Sequence, residues 1–531
     1  MQILSAPEIA TAGSNAADRV WNRWARSARR VNLLRGMAGV AVSAAFMTVA
    51  VPPSMWGPLA WVALVPLVLV IQRETPWRAG LLGILFGVAS LAGMHAWLWQ
   101  LPAFNVFDAV ALFGYLAIYP ALWCAAVTWL SRRRLPWVFP AAVLWVLLDW
   151  LRSHAGPLAL PWDPLAHSQT ADVPLLQLAA LGGAPLITFA VCLGNLAIVR
   201  AWQQRSLHWL VWTVIGVVGI HLCGYLVIPA ASPSTGPRVA IIQPADDNAS
   251  PAAKLELLRS LTRRAASARA DLIIWPESAV DGYAFNRVLQ GNVADIARAV
   301  NTPILFGSAD FGKFAKSAGA DAGRGEFKNQ AYLVFPDGSR QGPYTKNRLV
   351  PFGEFMPFEN HVEWPRWLVR RQLHGIAGEA PGLFRLRDGT TLGVVICWEN
   401  YFSDLANRLV RHDAAMIVQL SNDADFGAST EPDQHNAASI LRAVEYGRPW
   451  VQASANGPSM LVDAHGKIIE SLGPIGTTRS TVRTVSLVGT TTIYERFGLL
   501  WLWLASVTAL IWIAFTTYLR KENEYEYTPI P

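Results

Sequence analysis

Cys397 closes an apolar run, Leu392-Gly393-Val394-Val395-Ile396-Cys397, and is followed by Trp398-Glu399. It is the only cysteine outside the strongly apolar segments, because Cys124, Cys192 and Cys223 each lie in a long hydrophobic stretch. A thiol at a strand end, with no second cysteine to oxidise with, suits nucleophilic chemistry, although free cysteine is also among the most buried residue types. Two other strand ends supply what such a thiol needs. Glu277 ends Ile273-Ile274-Trp275-Pro276-Glu277, and Lys346 opens Lys346-Asn347-Arg348-Leu349-Val350-Pro351-Phe352-Gly353-Glu354-Phe355. A carboxylate in a partly desolvated pocket can take a thiol proton, and an ammonium beside the pair favours the thiolate and stabilises an oxyanion. Singly, each residue has a plain structural use: Glu277 at a helix entrance, Lys346 on the surface, Glu354 in a loop, Glu399 in an ion pair. The joint pattern points to chemistry. His412 and His435 read as surface or packing residues, and no Cys/His cluster has metal-ligand spacing.

The elements that must position these residues lie in a polar segment of about 250 residues, 238–490. Strand-like stretches are Val239–Gln243, Asp271–Trp275, Ile304–Ser308, Ala331–Phe335, Leu392–Cys397, Ala415–Leu420, Trp450–Ala455 and Met460–Val462. Helix-like stretches fall at 251–269, 286–300, 401–411 and 433–447. This alternation, with several continuously apolar strands, predicts an α/β core covered on both faces. In such sheets functional groups collect beyond the carboxyl ends of strands, so Glu277, Lys346 and Cys397 can converge.

The rest of the chain is of another kind. Over its 531 residues it is 53% hydrophobic and 15% charged, against about 25% charged for an ordinary soluble chain. Apolar runs at 33–52, 57–72, 79–99, 106–130, 136–151, 175–199, 207–230 and 498–517 predict eight membrane spans, the second and fifth being short and proline-flanked. Arg19, Arg23, Arg26, Arg29 and Arg30 precede the first span. Every second loop thereafter is basic: Arg73 with Arg78, Arg132-Arg133-Arg134, Arg200 with Arg205, and Arg520-Lys521. That alternation predicts cytoplasmic tails at 1–32 and 518–531, spans one to seven over 33–230, a tether at 231–237, and a polar domain on the periplasmic side. The net charge of +7 then reflects orientation and anionic lipid rather than nucleic acid. Ionisable residues are scarce in the spans, Asp149 at a span end excepted, which speaks against a transporter.

The Ile-Ile-Trp-Pro-Glu-Ser strand end, the Lys346–Pro357 run and Cys397-Trp398-Glu399 resemble the nitrilase (carbon-nitrogen hydrolase) superfamily, and within it the apolipoprotein N-acyltransferase family of bacterial inner-membrane enzymes. Ser421-Asn422-Asp423-Ala424 and the stretch from Gln434 to Pro449 are similar to family segments. The resemblance implies an eight-helix membrane domain joined to an α-β-β-α sandwich. It implies Glu277 as general base, Lys346 as oxyanion-stabilising lysine and Cys397 as nucleophile, with Glu354, Glu399 and Trp398 supporting. It further implies a phospholipid acyl donor, a Cys397 thioester, a diacylglyceryl-cysteine lipoprotein acceptor, and no metal or cofactor. Trp398 stands where Tyr is more usual, Asp425 where Trp is usual, and Asp149 where Glu is usual. Gln243-Pro244-Ala245 replaces Gln-Gly-Asn, with no Trp following. These departures keep open a divergent membrane amidase or acyltransferase acting on another envelope or conjugation-associated substrate, and a silent scaffold, which the intact Glu–Lys–Cys set opposes.

Overall fold

The computed structural model describes residues 33–526 apart from 55, 102–103, 163, 230–234, 246–248, 312–324, 360, 366–372 and 488. The tail at 1–32, most of the tether at 231–237 and the last residues of the C-terminal tail lie outside the described residues.

Six helices among the described residues are long and apolar enough to cross a bilayer: Leu33–Ala50, Pro76–Met94, Val106–Arg132, Ala184–Gln204, His208–Val227 and Leu500–Arg520. The expected second span is a 3₁₀ turn, Gly57–Trp61, followed by a seven-residue helix, Val65–Ile71. The fifth is the 16-residue helix Val138–Ser153, short of the roughly 20 residues that a straight crossing takes. The sixth differs most. Its expected first third is the short helices Val173–Leu176 and Leu178–Gly182, and the long helix starts at Ala184. Gly183 breaks it at φ +74, and Tyr494 packs so closely there that a side chain would not fit. Apolar composition marked the segment, but composition does not see a local break.

The polar segment folds as two facing sheets. The first holds β1 (Arg238–Gln243), β2 (Leu272–Ile274), β3 (Ile304–Phe311), β4 (Gly325–Val334), β5 (Arg340–Thr345) and β6 (Leu373–Gly375). The second holds β7 (Leu383–Arg385), β8 (Thr391–Ile396), β9 (Met416–Asn422), β10 (Trp450–Ala455), β11 (Met460–Val462) and β12 (Ile468–Ser471). The chain then returns as β13 (Arg479–Thr484), antiparallel on β1. Central strands β1–β2–β3 and β8–β9–β10 run parallel. All eight strands expected from the sequence are present. β5, β6, β7, β12 and β13 were not expected, because β5 and β13 are polar, partly exposed edge strands and β6, β7 and β12 span only three or four residues.

Alternation along the strands explains the sandwich. Val239, Ile241, Leu272, Ile274 and Leu305 face Val394, Ile396, Val418 and Leu420 between the sheets. Ala240, Ile242, Ile273, Trp275 and Phe306 point outward onto the helices Pro251–Ala266 and Arg287–Val300. The outer face of the second sheet is covered by Ser403–Val410 and Glu431–Tyr446. The latter helix is buried nearly all round, because its far side packs on the membrane domain, with Ile440, Leu441 and Val444 in one core with Leu176, Ala184 and Ile187.

Candidate active site

The strand ends of both sheets meet at one buried cluster. Glu277 follows β2, and Asn329 Nδ2 of β4 donates to its Oε1 at 2.5 Å. Gly307 of β3 lets the Glu277 backbone approach: a Cβ there would sit 2.7 Å from the Glu277 Cα. Lys346 follows β5, its amide tied to the Asn329 carbonyl at 2.8 Å and its side chain 1% exposed. Its Nζ donates to Glu354 Oε1 at 2.9 Å and stands 3.9 Å from Glu277 Oε1. Glu354 Oε2 accepts from the Val350 amide at 2.8 Å, so the Val350–Phe355 loop closes on its own carboxylate.

Cys397 follows β8 at φ +54 and begins the 3₁₀ turn Cys397–Tyr401. A left-handed backbone at a residue with a side chain costs on the order of 1–3 kcal/mol and persists only where its surroundings hold it. Glu399 is much of what holds it. Fully buried, it accepts from the Ile396 amide at 2.8 Å, the Asn347 amide at 2.6 Å, the Arg348 amide at 3.0 Å and the Tyr344 hydroxyl at 2.8 Å. One carboxylate thus joins the turn at Cys397 to the loop carrying Lys346. Trp398 adds a second tie, its Nε1 donating to the Arg348 carbonyl at 2.6 Å.

The electrostatics differ in one respect from the simple expectation that Lys346 yields a thiolate. Burial pushes the Cys397 thiol well above its ordinary value, the Glu277 charge pushes further, and Lys346 only partly offsets them. Burial also raises Glu277 to about 7, against the pull of Lys346. Burial opposes the charge on Lys346, but Glu354, Cys397 and Glu277 outweigh it and hold the ammonium above the usual lysine value. The arrangement suits a neutral thiol, a base poised near neutrality, and a fixed ammonium.

Asn329, Tyr401 and Trp162 carried no recognisable signal in the sequence. Asn329 orients Glu277. Tyr401 stacks on Trp162, 4.5 Å away, and on His435, 5.6 Å away, which seats the turn Cys397–Tyr401 on the membrane domain. Trp162 Nε1 also donates to Gln434 Oε1 at 3.1 Å. Asp423, Glu431 and His435 cluster closely enough to suggest a metal site. However, the His435 Nε2 faces the donor end of the Gln419 amide. That reserves Nδ1 for the ring proton and leaves no lone pair for a cation there.

Residues 43–197 match the family model for the apolipoprotein N-acyltransferase N-terminal domain, and residues 238–492 match that for carbon-nitrogen hydrolases. The apolipoprotein N-acyltransferase of Geobacter metallireducens is 29% identical over 94% of this chain and 97% of that protein. Those of Vibrio parahaemolyticus and Gloeobacter violaceus are 27% and 28% identical, over 90% and 91% of this chain and 97% and 94% of theirs. The chain belongs to the apolipoprotein N-acyltransferase family. It is therefore a membrane-bound N-acyltransferase of the carbon-nitrogen hydrolase superfamily. Among solved structures it is similar to a nitrilase-superfamily amidase from Nesterenkonia, at 18% identity and a TM-score of 0.37, over 49% of this chain and 93% of that one. Of the family's departures noted above, Asp425 is exposed, one residue before Phe426, which packs edge-on against Trp97 at 5.3 Å.

Proposed function

We propose that the protein transfers a fatty acyl chain from a phospholipid, through a thioester on Cys397, to the α-amine of the diacylglyceryl-cysteine of an apolipoprotein. The observation that carries the residue roles is the convergence of Glu277, Lys346 and Glu354 in one buried cluster electrostatically coupled to Cys397. Glu277 takes the thiol proton as Sγ attacks the ester carbonyl. The oxyanion forms beside Lys346, whose charge is already in place and needs no reorganisation. Collapse breaks the ester C–O bond, and the leaving lysophospholipid takes the proton back from Glu277. The acceptor amine then attacks the thioester, Glu277 accepts its proton, and the C–S bond breaks to return a thiol. Splitting one transfer into two steps is what a covalent intermediate accomplishes.

Both substrates are lipid-anchored. A catalytic domain seated on membrane helices lets their chains stay in the bilayer, where extraction into water would cost about 0.8 kcal/mol per CH₂. The loop charges support an inner-membrane topology with both termini cytoplasmic, the catalytic domain periplasmic, and the two short helices counting as crossings. Incubation with phosphatidylethanolamine followed by intact-mass measurement tests the reading. Wild type should gain a hydroxylamine-labile acyl adduct that a diacylglyceryl-cysteine peptide discharges, and Cys397→Ala should gain none. An acyl-free wild type would refute it and favour an amide substrate, a reading that exposed Asp425 keeps open.

A further inference from the structure

Beneath Cys397 lies a buried polar chain that the reaction does not touch. The Trp450 indole Nε1 donates to Gln419 Oε1 at 2.9 Å, and Ser439 Oγ donates to the same atom at 2.6 Å. An indole N–H can only donate, so the carbonyl end of the Gln419 amide must face Trp450 and its NH₂ end must face the other way. There Nε2 lies 3.1 Å from the Cys397 carbonyl and 3.1 Å from His435 Nε2. His435 Nδ1 in turn lies 3.3 Å from Asp423 Oδ1, and Asp423 accepts from Ser421 and Ser454. Gln419, Asp423 and Trp450 are wholly buried and His435 nearly so.

We infer that Gln419 is a positioning residue for the nucleophile, holding the Cys397 carbonyl through an amide whose direction Trp450 dictates, with His435 closing the chain as a neutral acceptor. Resting on the reading of Cys397 as the acyl carrier, this gives the left-handed turn a second anchor besides Glu399. Pinning the carbonyl fixes the plane of the Cys397–Trp398 peptide and so the direction of the Trp398 N–H. Burial opposes charge on the His435 ring, but Asp423 and Glu431, the acids facing it, together with the nearby Cys397 carbonyl, outweigh that and draw it toward the charged form. A charged ring would press its Nε2–H on the Gln419 NH₂ or compete with it for the Cys397 carbonyl. Two buried donors facing one another lose both hydrogen bonds and their hydration. Burial also pushes Glu431 toward its neutral form, which weakens its pull on the ring.

The direction of the chain makes Gln419→Glu decisive. Its carboxylate keeps the bonds from Trp450 and Ser439 but turns an acceptor toward the Cys397 carbonyl. The single-turnover rate of Cys397 acylation should fall by about a hundredfold, with KM for phospholipid unchanged and the protein still folded by size-exclusion profile and melting. Trp450→Phe, which keeps the ring and removes the lock, should lose about fivefold in the same rate. If His435 is instead a charged donor, Gln419→Glu offers it a better acceptor, and an acylation rate within threefold of wild type would overturn the inference. Should Gln419→Glu fail to fold, an unchanged rate in Trp450→Phe would overturn it equally. A wild type that forms no adduct is a different failure, that of the thioester itself.

Discussion

Replacing Glu277 by Gln should abolish acylation of Cys397 and yet stabilise the folded protein, with the stabilisation present only at higher pH. Burial raises this carboxyl from 4.5 to about 7. At about 1.4 kcal/mol per pKa unit, holding it ionised in the folded chain costs roughly 3 kcal/mol. The sign follows from proton linkage. Below pH 4.5 the carboxyl is neutral in both the folded and unfolded chain, and there is no penalty. Between 4.5 and about 7 the unfolded chain releases its proton first, so wild-type stability falls as pH rises, and above 7 the whole penalty is in force. Glutamine is neutral throughout and can still accept from Asn329. The gain of Glu277→Gln should therefore be near zero at pH 4.5 and grow to roughly 3 kcal/mol at pH 8. For a domain of this size that is about 6 °C in Tm. Melting both proteins in detergent at pH 5 and pH 8, with intact-mass detection of the adduct in parallel, makes the comparison. An equal shift at both pH values, or a less stable variant at pH 8, would refute the claim that burial strains this base.

Three further outcomes follow from the same geometry. In wild type, kcat/KM for phospholipid should rise with pH through about 7 as Glu277 ionises; in Glu354→Gln that acid limb should move to lower pH. The variant removes a carboxylate that raises Glu277 and leaves Lys346 to it, so an unmoved or raised midpoint in the pH profile would contradict the proposed pairing. Gly307→Ala should lower the acylation rate by about tenfold or more, because its Cβ must displace the Glu277 backbone, while membrane expression stays normal on a blot. Glu399→Gln should destabilise the protein by about 2–4 kcal/mol in a denaturation experiment, since an amide NH₂ in place of either oxygen would face two of the four buried donors.

Much of the site was legible because its members announce themselves locally. Glu277 and Cys397 each follow a strand whose apolar run is visible in the chain, whereas Lys346 follows the polar strand β5 and was legible only as the start of the Lys346–Pro357 run; α/β sheets bring such ends together. Glu399 was legible as a residue but not as the tie between two loops, since its four donors come from 344, 347, 348 and 396. His435 reads as an ordinary helix histidine, because what distinguishes it is the orientation of an amide on a different strand. Hydropathy located the membrane domain, yet two of its eight expected spans are not full-length helices among the described residues, because a 3₁₀ turn with a seven-residue helix, and the 16-residue helix Val138–Ser153, carry the same composition as longer spans.

The sequence by itself determined the two-part architecture and the α/β class of the polar segment, and it picked out Cys397, Glu277 and Lys346 as the candidate thiol, base and lysine. These depend on hydropathy and short-range pattern, which are written along the chain. Only the tertiary structure decided that burial raises both the Cys397 thiol and Glu277, that Glu399 and Gln419 bond the turn at Cys397, and that the membrane domain buries the far side of the helix Glu431–Tyr446. Desolvation and hydrogen-bond direction depend on which atoms surround a group, and here those neighbours lie up to several hundred residues away in sequence.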